Sequence, residues 1–97
     1  MTRTPRQLDA LAWRAAEQLG DNWEVTRREK TALNRDEWMI SFHERSDRGI
    51  ALASAQATVS VDEMNTLSDD DLVAWILVRV RSSTAVQAMA PRRERRT

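Results

Sequence analysis

The 97-residue chain predicts a small α+β domain of order α-β-β-β-α: a three-stranded antiparallel sheet with two helices on one face and a disordered basic C-terminal tail. Three observations predict it. Apolar residues recur at helical spacing behind a capping sequence near the N-terminus, three central stretches alternate with a period of two, and the run Leu72 to Val80 follows Ser68-Asp69-Asp70-Asp71. A chain of this length buries only about 60–65% of its unfolded surface, enough for one core, so residues 1–90 form a single domain and 91–97 a flexible tail.

The first helix spans 5–19. Thr4 is its N-cap, Pro5 occupies the first helical position where a missing N–H costs nothing, and Gln7 completes a capping box. Leu8, Leu11, Ala12, Ala15 and Leu19 form one apolar stripe that ends at Gly20. Trp13 lies off it, roughly 140° from Leu8.

The strands span 22–28, 37–44 and 50–61. Trp23 and Val25 share one face of the first, with Glu24, Thr26 and Arg28 on the other; Trp38, Ile40 and Phe42 alternate with Met39, Ser41 and His43 in the second. Between them "EKTALNRD" reads as a loop anchored by Leu33. "SDRG" at 46–49 is a hairpin turn with Gly49 free to take a positive φ. The alanine-rich third stretch could pass for a helix. However, Ala51, Ala53, Ala55, Ala57, Val59 and Val61 fall on alternate positions, which is strand periodicity, with a bulge expected near Ser54.

The last helix spans 69–82, with a weaker extension through "STAVQAMA" to residue 90. Ser68 caps it, the three aspartates meet the positive end of its dipole, and Leu67 staples onto Leu72. Leu72, Val73, Ile76, Leu77 and Val80 cover one arc. Trp75 and Val78 lie on the opposite side, between Arg79 and Arg81. The helix therefore has two apolar faces, and Trp75 meets either the first helix of its own chain or another chain.

Several functions are excluded or weakened at this level. There are no cysteines, which removes disulfides and thiolate chemistry, and only two glycines, at 20 and 49, which removes a glycine-rich phosphate cradle. The single histidine, His43, has no nucleophile or second metal ligand at a recognisable spacing. Asp62, Glu63 and the three aspartates lack the spacing and central glycine of a calcium loop. No catalytic residue, metal or cofactor is expected. With no apolar segment near the roughly 18 residues needed to span a bilayer, no membrane contact is expected and the compartment expected is the cytoplasm.

Charge is balanced overall but not locally. Residues 1–90 carry eleven basic and fourteen acidic side chains, net −3, while "PRRERRT" carries +3. The basic side chains comprise fourteen arginines and one lysine, a preference that fits a GC-rich genome better than a binding mechanism. The element order is also that of double-stranded-RNA-binding domains, but those need basic groups where this chain has Ser68-Asp69-Asp70-Asp71.

The expectation from sequence is thus a non-enzymatic protein-protein interaction module of the adaptor, chaperone or inhibitor type, a homodimer or the binder of another protein. Trp13, Trp75, Val78, Arg79 and Arg81 are the candidate contact residues, a tryptophan among arginines being the composition of interface hot spots. Edge strands offer a second route to dimers. The alternative is electrostatic nucleic-acid binding through Arg27, Arg28, Arg35, Arg92, Arg93, Arg95 and Arg96.

Overall fold

The computed structural model describes residues 2–31 and 36–83 in full and 85–86 by their backbone. In chain order the elements are α1 (Pro5–Leu19), β1 (Trp23–Lys30), β2 (Glu37–Arg45), β3 (Ala51–Ser60), a short α2 (Val61–Thr66), α3 (Asp69–Ser83) and a two-residue β4 (Ala85–Val86). The sheet is antiparallel throughout, in the spatial order β1-β2-β3-β4.

Local chemistry sets the element ends as the sequence predicts. The Thr4 hydroxyl accepts from the Gln7 backbone N–H while the Gln7 side chain accepts from that of Thr4, closing the capping box of α1. Ser68 accepts from the Asp71 N–H at 3.2 Å, which caps α3. In the β2–β3 turn Gly49 has φ +82, and its N–H donates to the Ser46 carbonyl.

Both helices lie on one face of the sheet, α1 over β1 and α3 over β3, in contact with each other. Between the layers lie Leu8, Leu11, Ala12, Ala15 and Ala16 of α1, Leu72, Val73, Ile76, Leu77 and Val80 of α3, and Ile40, Phe42, Ala55, Ala57 and Val59 of the sheet. Ala53, Ala55 and Ala57 of β3 are buried, so α3 approaches its backbone closely, whereas Ala51, which alternation placed in the same row, is exposed.

Four features depart from the sequence reading. The third strand ends at Ser60, because Ser60 and Glu63 form a second capping box and turn the chain into α2, whose Met64 is buried in the core. The bulge in β3 falls at Leu52, opposite Glu44 and Arg45, two residues before Ser54. A further bulge at Thr26 interrupts β1. Val25 pairs with Phe42 and Arg27 with Ser41, so Thr26 is the extra residue and Arg28 comes opposite Ile40 on the helix side. Because side chains alternate with period two, one inserted residue exchanges the faces of all that follow. Arg28 therefore leaves the open face on which alternation placed it. It pairs with Asp9 of α1 and stacks on Trp38.

The fourth departure is at the C-terminal end of α3. The helix does not continue through Ala85 and Val86, which pair instead with Ser54 and Ala53. Just before them the Ser83 hydroxyl accepts from the Gln56 N–H at 2.9 Å and donates to the Gln56 carbonyl at 2.7 Å, while Arg79 donates to the Thr58 carbonyl. The outer edge of β3 is thus occupied from residue 53 to residue 58. That removes it as a site for strand addition and leaves β1, bulged and charged, as the open edge among the described residues. Leu33, Arg35 and the tail 91–97 lie outside the described residues.

Candidate interaction surface

Trp75 projects from α3 on the side away from the core. With 3.6 residues per turn, Asp71, Ala74, Trp75 and Val78 fall on one outer face, and α2 runs alongside it. Glu63 and Leu67 from that neighbouring segment complete a groove of about 390 Å³ with Asp71, Ala74, Trp75 and Val78. Its lining is aliphatic and aromatic apart from the carboxylates of Glu63 and Asp71.

The tryptophan is exposed but not loose. Trp75 is 40% accessible and Val78 53%. The indole N–H donates to Glu63 at 2.7 Å, and the Arg79 guanidinium lies 4.4 Å from the centre of the ring. Arg79 in turn grips Glu63 with two parallel hydrogen bonds of 3.0 and 2.9 Å. A planar fork against a carboxylate fixes orientation as well as charge. Trp75 is therefore held by contacts within its own chain, and a partner meeting it would have little side-chain freedom to remove.

Glu63 is the hub of this arrangement, since it also accepts the Ser60 N–H. Burial acts to raise its pKa. The hydrogen bonds from Arg79, Ser60 and Trp75, with the charge of Arg79, outweigh that effect and hold it at about 2 against an ordinary 4.5. The sequence signal for this hub was the spacing Ser60-x-x-Glu63, a capping box hidden within a stretch whose alternation reads as strand.

α2 itself is pinned from the N-terminal side. The Arg3 backbone N–H donates to the Asn65 side chain at 2.9 Å, and its guanidinium donates to the Met64 carbonyl and pairs with Asp69 at 2.7 Å. The groove wall is thus tied to the segment ahead of α1, which in turn is tied to α3.

The five candidate contact residues do not form one patch. Trp75, Val78 and Arg79 gather at the α2–α3 groove, with Arg79 committed to Glu63 and Thr58 beneath the ring. Arg81 is exposed one turn beyond Val78. Trp13 lies on the other flank of the helix layer, beside Asp9 and Val25 to Arg28 of β1, and is 45% accessible. Trp75 thus faces Glu63 and Arg79 on the α2 side, whereas Arg14 and Gln18 of α1 lie beside Asp70, Val73, Ala74 and Leu77 of α3.

The arginines proposed for nucleic acid are also divided. The bulge sends Arg27 to the open face, where it lies 3.8 Å from Glu29, and Arg28 to the helix side. Arg35, Arg92, Arg93, Arg95 and Arg96 lie outside the described residues. His43 lines shallow polar depressions on the open face with Ser41, Arg27 and Gln56. Asp69 and Asp70 pair with Arg3 and Arg14.

No protein-family model matches the chain, and no curated protein or solved structure is significantly similar to it.

Proposed function

We propose that this protein is a small non-enzymatic protein-protein interaction module that forms a homodimer, with the outer face of α3 as its contact surface. The observation that carries the reading is the fixed, exposed Trp75 beside an apolar groove. A large aromatic anchor that is rigid before association, surrounded by smaller apolar groups and rimmed by charge, is the composition that concentrates binding energy. The partner is a second copy because the same face is acidic at its Asp71 end and basic at its Arg81 end, which makes it complementary to itself.

Sedimentation of the intact chain tests this. The wild type is expected to be dimeric at on the order of tens of micromolar, and Trp75→Ala and Val78→Asp to be monomeric while keeping the wild-type far-ultraviolet circular dichroism. A strict monomer at that concentration, or a dimer indifferent to both substitutions, refutes the reading.

A further inference from the structure

Resting on that reading, we infer that the two copies join by packing α3 antiparallel against α3, with Asp71 of each copy facing Arg81 of the other. The charges on α3 carry the inference. Asp69 is paired with Arg3, Asp70 with Arg14, and Arg79 with Glu63. Asp71 and Arg81 remain, both exposed and neither in an ion pair among the described residues. They have opposite sign and stand at opposite ends of the outer face.

Their placement on the helix is also suitable. Plotted at about 100° per residue, Trp75, Asp71, Val78, Ala74 and Arg81 follow one another within an arc of about 120°, the width of a single helix face. A two-fold axis crossing the helix midway between Trp75 and Val78 sets Trp75 of each copy over Val78 of the other. The same axis brings Arg81 level with residue 72 of the second copy, about 1.5 Å along the axis from Asp71 and within reach of a guanidinium. Ala74, between them, lets the backbones approach. A parallel pairing instead sets Asp71 against Asp71 and Arg81 against Arg81, with the helix dipoles aligned unfavourably.

The helix face is smaller than the roughly 800 Å² per partner of a standard interface. The dimer is accordingly weak and reversible, and its symmetric charge pairs at the rim make it sensitive to salt.

Charge exchange between copies tests the pairing. Asp71→Arg and Arg81→Asp are prepared separately, and folding of each is checked by circular dichroism and melting. Each alone is expected to bind itself at least about ten-fold more weakly than the wild type does, because like charges then face across the axis. An equimolar mixture is expected to form a mixed dimer within about three-fold of the wild-type affinity. In that dimer the introduced arginine of one copy meets the introduced aspartate of the other, and the native Arg81 of the first meets the native Asp71 of the second. Two folded single variants that self-associate like the wild type, or a mixture that stays monomeric, overturn the antiparallel pairing. If Trp75→Ala still abolishes the dimer in that case, the contact surface stands and only the arrangement falls. If Trp75→Ala also leaves the dimer intact, both fall.

Discussion

At the scale of single residues, Glu63 holds the most together. One carboxylate caps α2 and orients Trp75, and it also neutralises Arg79, whose other hydrogen bond closes the edge of β3. Its depressed pKa links stability to pH. The group contributes fully above its unfolded value near 4.5, and the contribution is lost as pH falls through about 2. The shift corresponds to on the order of 3 kcal/mol. Glu63→Gln is therefore expected to lower stability at neutral pH by about 1–3 kcal/mol. The deficit relative to wild type should narrow on acidification from 4.5 towards 2, as followed by urea unfolding across that range. A constant deficit down to the lowest pH would show that the charge of Glu63 contributes nothing. That Trp75 lies off the core arc of α3 was legible from the helical wheel, because the caps of α3 fix the phase of the helix; that it stays exposed was not. Its partner was not, since Glu63 is twelve residues away and belongs to an element that alternation concealed.

Among the elements, those with strong local chemistry at their ends were readable in advance. Thr4 with Gln7, Ser68 before three aspartates, and Gly49 in its turn each act over three or four residues, and a sequence displays such signals directly. Bulges have no comparable signature, because they are selected by what the strand must face after it pairs. The Thr26 bulge aims Arg28 at Asp9 and Trp38 without disturbing Val25 against the core. Two deletions separate this account from a fault of register. Removing Thr26 joins Val25 directly to Arg27 and keeps every later side chain on its present face, so the chain is expected to fold with a loss of about 1–2 kcal/mol at most. Removing Thr58 from the regular part of β3 turns Val59 or the alanine row to solvent and is expected to prevent folding. Circular dichroism and thermal melting distinguish the two. The capping box of α2 gives a milder test: Ser60→Ala should cost about 1 kcal/mol in chemical unfolding and loosen the wall of the groove.

At the scale of the whole molecule, the fold places its two exposed tryptophans on opposite flanks of the helix layer, and among the described residues no helix packs on the other sheet face. The proposed association through α3 would link melting to concentration, because only the folded state would pair. A hundredfold increase in protein concentration is expected to raise Tm by a few degrees in the wild type and not in Val78→Asp; equal behaviour of the two would argue against the α3 contact. The layer arrangement was legible because helical and strand periods differ and one core must serve both. The closing of the β3 edge was not, since it depends on Arg79 and Ser83 reaching backbone groups more than twenty residues earlier in the chain. That closure bears on how the molecule can grow. A sheet open at both margins can recruit copy after copy into a filament. Here one margin is already filled by the chain's own Ser83, Ala85 and Val86, so an added strand has no second template beside it, and the pairing we propose through α3, being two-fold, ends at two.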